Sequence, residues 1–162
     1  MVSDRQLLVR ILGTLFLGGI VGFEREQEQK PAGLRTVMLV TLGSTLVMLV
    51  AQRSPSFFVV SGAGSIDLDL DPTRILGALV QGVGFLGAGT IFMYRRTIHG
   101  LTTAAAVWTM AVVGAAVGVG DWALAIAGTL AAYFILRVLG PFGARFGEKK
   151  APEEESDEEA DT

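Results

Sequence analysis

The sequence of 162 residues is 51% apolar and 18% charged, carries a formal net charge of −3 and contains no cysteine. Soluble domains carry roughly 25% charged residues, and the lack of cysteine excludes disulfide, zinc–thiolate and thiol chemistry. The charges are also segregated, because residues 36–52, 75–94, 100–120 and 122–136 contain no Asp, Glu, Lys or Arg.

A helix of about 20 residues crosses a hydrocarbon core of about 30 Å. Five spans are therefore expected, at residues 6–23, 34–52, 74–94, 100–120 and 121–139. Arg10, Arg35 and Arg137 sit at the ends of the shorter runs and reach the head groups by snorkelling. A soluble bundle is excluded because its helices would show a polar outer face every turn, which residues 75–93 and 101–119 do not. The expected class is an all-α membrane protein with residues 1–147 in the bilayer domain and 148–162 as a disordered acidic tail.

The first span ends Gly19-Ile20-Val21-Gly22-Phe23-Glu24 without a small-residue cleavage pattern, so it reads as a retained helix. Its Gly18-x-x-x-Gly22 pair is of the kind that lets membrane helices approach closely. Glu24-Arg25-Glu26 closes it, and Arg35 opens the second span after Pro31-Ala32-Gly33. A planar guanidinium pairs bidentately with a carboxylate, so Glu24, Arg25 and Arg35 form a candidate polar network at the mouth of the bundle. The alternative is an ordinary turn carrying interfacial charges.

The connection after the second span holds Asp67, Asp69 and Asp71 in alternation. In an extended segment alternate residues share one face, and oxygen ligands with retained water suit Mg²⁺. Asp71-Pro72 equally reads as a helix cap with proline at the first helical position, or Asp71 pairs with Arg74 one turn later. That leaves Asp67 and Asp69 as the freer ion candidates, and no other cofactor is expected.

In the third span Gly77, Gln81, Gly84 and Ala88 share one face while Gly82 and Gly89 lie on another. A helix that is small on several sides is expected at the centre of the bundle, unbroken through Gly87 and Gly89. Its Gly82-x-Gly84-x-x-Gly87 string matches a dinucleotide fingerprint by letter only, since no strand precedes it. The fourth span carries a seam of Ala104, Trp108, Ala111, Ala115 and Gly118, and also the pair Gly114-x-x-x-Gly118. Polar groups at membrane depth are candidate functional groups: Gln81, Thr90, Thr102, Thr103 and Thr109. Threonines often bond only their own backbone there, and the lone His99 implies neither a metal nor a proton relay.

Nine basic residues (Arg25, Lys30, Arg35, Arg95, Arg96, Arg137, Arg145, Lys149, Lys150) fall on one side of five spans and four (Arg5, Arg10, Arg53, Arg74) on the other. This bias places the N-terminus outside and the C-terminus inside.

Six motifs come in an order that resembles the MgtC/SapB family. They are Gly22-Phe23-Glu24-Arg25-Glu26, Pro31-Ala32-Gly33-Leu34-Arg35-Thr36, Leu42-Gly43-Ser44, Asp71-Pro72-Thr73-Arg74-Ile75, the run Gly82-Val83-Gly84-Phe85-Leu86-Gly87-Ala88-Gly89-Thr90-Ile91, and Gly100-Leu101-Thr102-Thr103-Ala104-Ala105. The resemblance covers residues 8–139 and implies a bacterial inner-membrane protein linked to magnesium homeostasis. It also implies the loss of a soluble C-terminal regulatory domain that longer relatives carry. His99 stands where relatives usually have Arg, Val37 where a His is frequent, and Thr102 where some have Asn. Roles that need those side chains do not transfer.

No catalytic motif is present, so a non-enzymatic accessory protein that binds and tunes another membrane protein, such as an ATPase, is expected. The alternative is a small transporter or channel for Mg²⁺ or another solute. The expected partners are the lipid bilayer, a second copy of the chain and that membrane protein, with no nucleic acid.

Overall fold

The structure is a computed structural model that describes residues 2–53, 72–94 and 97–139. Within them the chain forms α1 (Asp4–Gln27), α2 (Leu34–Arg53), α3 (Pro72–Ala88), β1 (Phe92–Tyr94), β2 (Thr97–His99), α4 (Leu101–Val119) and α5 (Trp122–Phe134). A π-helical turn at Ile135–Leu139 extends α5. The helices α1, α2, α4 and α5 with its π turn are long and apolar enough to cross a membrane. The 17 residues of α3 reach only about 25 Å at 1.5 Å per residue.

Helix ends are set by local chemistry. Ser3 and Gln6 form a reciprocal capping box at the start of α1, and Asp121 accepts from the Leu124 amide to start α5. Gly100 and Gly120 bracket α4 in the left-handed region, at φ +89° and +94°. At Gly100 a side chain would also overlap the Thr90 carbonyl oxygen, so only glycine fits the entry to α4.

Close contacts fix the helix directions. Gly18 lies against Met38 and Thr41, and Gly22 against Leu34, so α1 and α2 are antiparallel. Gly114 meets Thr41 and Ser44, and Gly118 meets Thr45 and Met48, so α2 and α4 are parallel. Gly87, at the end of α3, lies on Ala104, at the start of α4, and Gly13 and the C-cap Glu28 of α1 meet Trp122 and Arg137 at the two ends of α5, so α3 and α5 run antiparallel to α4. Successive helices therefore alternate in direction.

The centre of the bundle is α4, with Thr103, Val107, Met110, Ala111, Gly114, Val117 and Gly118 among its buried residues. Leu17, Val21, Val37, Ala125 and Ala132 pack into the same core around it. This corrects the central place expected for the third span. Gly77, Gly82 and Gly84 of α3 have nothing within 4 Å of a Cβ added to them, and Phe85 is 81% exposed. Only the face with Leu79, Val83 and Gly87 packs, against Ala104, Val107 and Ala111. A glycine on a membrane helix signals room for a neighbour without saying whether one sits there within the same chain.

The third span is also broken. The helix stops at Ala88, the Thr90 and Ile91 amides close turns onto Gly87 and Ala88, and the chain enters the antiparallel β1–β2 hairpin. The described chain is otherwise helical, as expected, and in this hairpin of two three-residue strands Phe92 pairs with His99 and their rings stack with centroids 5.4 Å apart. Gly89 touches only the Leu86 and Phe85 carbonyl oxygens of its own turn, so it serves the helix end rather than a helix contact.

Candidate functional site

Among the described residues the polar groups gather in three places. The first is a hydroxyl chain halfway along α2. Thr45 Oγ1 lies 2.7 Å from the Gly114 carbonyl oxygen and 2.8 Å from Thr14 Oγ1. One hydroxyl has a single proton, so Thr45 gives it to the nearer carbonyl, that of Gly114, rather than to that of Thr41 at 3.1 Å, and accepts from Thr14. Thr41 and Ser44 donate to the Val37 and Val40 carbonyls. With no water in a bilayer core, these groups have to be satisfied internally, and they tie α1, α2 and α4 together. The sequence reading passed over them. The available signal was the 37, 41, 44, 45, 48 spacing of small or apolar residues along one face of α2, all buried.

The second place is the C-terminal end of α4. Arg10 donates from Nη1 to the Gly118 carbonyl oxygen at 2.7 Å and to Gln52 Oε1 at 3.1 Å. Gln52 Nε2 donates to the same Gly118 oxygen at 2.6 Å. A cation belongs at this end, where unpaired carbonyls carry partial negative charge. Where snorkelling is expected of Arg10, it caps α4 instead, together with Gln52, which no sequence motif marks.

The third place is at the opposite ends of the helices and holds the Glu24 and Arg25 pair. Both residues are 3% exposed, and Arg25 Nε and Nη2 donate to the two Glu24 oxygens at 2.5 and 2.6 Å. Of the three residues expected in one network, Glu24 and Arg25 pair, while Arg35 is exposed. Arg35 follows the first turn of α2 outward because Glu26 occupies that helix start, accepting from the Leu34 amide at 2.9 Å. A Cβ on Gly33 would overlap the Glu26 carboxylate, so glycine there leaves room for this cap.

Beside this pair opens a cleft of about 920 Å³, lined by the α1–α2 turn, the hairpin, the start of α4 and the end of α5. Arg25, Lys30, His99, Thr102, Thr103 and Arg137 all line it. The sequence reading named Arg25, Thr102 and Thr103 without bringing them together. Chain separation hid the convergence, since the turn after α1 and the end of α5 meet only in the fold.

Other expected site residues disperse. Thr90 donates to the Gly87 carbonyl and Thr109 to that of Ala105, so both bond their own backbone. Gln81 and Arg74 are exposed on α3, and Arg74 borders an apolar cleft with Leu46, Val50 and Leu79. Asp67, Asp69 and Asp71 lie outside the described residues, as does the acidic tail. The described residues contain no group of three or more His, Asp or Glu that could hold a metal.

Comparison with known proteins places the chain. A family model described as the MgtC family matches residues 11–145. The chain is 37% identical over 134 residues to a "Putative magnesium transporter YhiD" of Escherichia coli K12, covering 82% of this chain and 60% of that protein. It is 35% identical to "Protein SrpB" of Synechococcus elongatus, covering 84% of this chain and 74% of the relative. Against "Protein MgtC" of Brucella abortus it is 40% identical over 68% of this chain and 41% of the relative. The chain thus spans between about two-fifths and three-quarters of the length of these relatives. No solved structure matches.

Proposed function

The chain belongs to the MgtC family, and we propose that this multi-pass membrane protein serves magnesium homeostasis in the bacterial inner membrane by binding and tuning another membrane protein. The observation that carries this reading is the state of its interior. The carboxylate of Glu24 is held bidentately by Arg25, and the buried hydroxyls of Thr14, Thr41 and Thr45 are bonded to one another or to the backbone. Stripping water from Mg²⁺ needs oxygen ligands that are free to coordinate it.

Five crossings, with the N-terminus outside, fit the alternating helix directions and the excess of basic residues near one set of ends. The face offered to a partner is the outer side of α3, where Gly77, Gln81, Gly84 and Phe85 are exposed. A second copy would use the same face. The Gly18/Gly22 and Gly114/Gly118 surfaces are both used against α2.

The name of the Escherichia coli relative favours a second reading, transport of Mg²⁺. Mg²⁺ flux into proteoliposomes with a trapped dye separates the two. The accessory reading expects no flux above empty liposomes from folded protein. Flux that is lost in Arg35→Ala or Asp71→Asn would replace it with a transporter.

A further inference from the structure

We propose that the cleft between the α1–α2 turn, the hairpin and the end of α5 binds a phosphate group. The proposal goes beyond the accessory reading and stands equally if the protein moves a solute.

The cleft contains the start of α4. Its cap residue, Gly100, has no side chain to accept the first-turn amides, and Gly100 through Thr103 line the cleft. The first amides of a helix have no partner within it, and together they favour an anion. Thr103 supplies an independent sign. It is 3% exposed and faces the cleft, yet its hydroxyl has no hydrogen-bond partner among the described residues. The buried threonines Thr14, Thr41, Thr45 and Thr129 all have one. No enclosed side-chain oxygen or nitrogen is left unpaired among the described residues, so the Thr103 oxygen opens on the cleft. It is a donor waiting for a ligand.

The charges agree. Lys30, Arg25 and Arg137 line the cleft against one carboxylate, Glu28. Glu28 is 3.5 Å from Arg137, and Arg25 is held by Glu24. Lys30 makes no ion pair among the described residues and supplies the mobile point charge that suits a phosphate. The His99 ring is stacked on Phe92 at the same wall.

A volume of about 920 Å³ exceeds what inorganic phosphate needs. The apolar wall of Phe92, Ile98, Leu101, Ile135 and Leu139 suits the first carbons of an acyl chain. Basic pockets between helices at the cytoplasmic side of a bilayer are where anionic head groups bind. The shared chemistry is a phosphate oxyanion, whether carried on a phospholipid or free.

The test is thermal unfolding of the purified protein in neutral detergent, followed by fluorescence of Trp108 and Trp122. Phosphatidylglycerol, diacylglycerol and inorganic phosphate are titrated at matched ionic strength. Phosphatidylglycerol is expected to raise the midpoint, and diacylglycerol is not. The half-saturating concentration should rise about tenfold in Thr103→Val and in Lys30→Gln, the worth of one charge-assisted hydrogen bond. Thr103→Ser should bind as the parent does. A shift from inorganic phosphate that the same variants weaken keeps the site and makes the free anion its ligand. If Thr103→Val fails to fold, Lys30→Gln and Arg137→Gln carry the test, since both side chains are exposed. An equal shift from diacylglycerol overturns the proposal. So does the absence of any shift, or a shift that the folded variants leave unchanged.

Discussion

The helices α3 and α4 are both rich in glycine, and the structure uses that glycine in opposite ways. In α4, Gly114 and Gly118 bring the backbone onto α2 so closely that a Cβ on Gly118 would stand 2.6 Å from Met48 Cβ and 2.9 Å from the Thr45 carbonyl oxygen. In α3, Gly77, Gly82 and Gly84 face open space. The first set is spent on folding. The second is uncovered within this chain, and an uncovered glycine face in a bilayer has room for another helix. A small-residue pattern therefore reports the capacity for close approach, and only the remaining faces of the bundle decide which helix uses it internally.

The largest expected effect lies beneath that comparison, where α1 enters the turn to α2. Glu24→Ala leaves the Arg25 guanidinium buried without its carboxylate, which costs about 3–5 kcal/mol. Detergent-solubilised protein should then unfold far earlier in a thermal scan, and Glu24→Gln should recover part of the loss. An unchanged midpoint for Glu24→Ala would mean that Arg25 reaches water or another anion.

A smaller effect sharpens the account of the α2–α4 seam. Thr45→Val keeps the shape but removes the donor to the Gly114 carbonyl and the acceptor for Thr14. A loss of about 1 kcal/mol is expected, with Thr129→Val as the control, because Thr129 bonds only within its own helix, to the Ala125 carbonyl. Equal losses in both would show that the interhelical bond adds nothing beyond a local one.

The smallest effect on stability is expected on α3. Phe85→Ala removes an exposed ring and should leave the unfolding midpoint within about 0.5 kcal/mol, as surface changes do. If this face engages a partner, the same variant should weaken capture of that partner from native membranes by chemical cross-linking. A drop in stability would instead mean that Phe85 packs within the chain.

Much of the fold was legible because its signals are long. Charge-free runs gave α1, α2, α4 and α5 to within a few residues. The end of α3 was not legible. Residues 75–94 carry no charge, and hydropathy does not distinguish a helix that stops at Ala88 from one that continues. What stops it is a turn at Gly89 and Thr90 with a hairpin that folds back to Gly100, whose backbone has no room for a Cβ. The site was legible as residue types and not as a place. Glu24, Arg25, Thr102 and Thr103 stood out, but the partner of Glu24 was its own neighbour rather than Arg35. The role of Arg10 needed the end of α4, more than one hundred positions away (|i−j| = 108 to Gly118), to be seen beside it.

The central claim, that glycine builds the bundle in α4 and leaves a free face in α3, is tested most directly by one matched pair. Gly114→Ala and Gly84→Ala add the same methyl group to two membrane helices, and thermal midpoints in one detergent compare them. The account predicts that Gly114→Ala is destabilised by about 1–3 kcal/mol or fails to fold, since its Cβ would overlap the Thr41 carbonyl oxygen. Gly84→Ala should match the parent or exceed it by the roughly 0.5–1 kcal/mol that alanine gains over glycine in a helix. A stable Gly114→Ala beside a destabilised Gly84→Ala would contradict it and return α3 to the centre of the bundle.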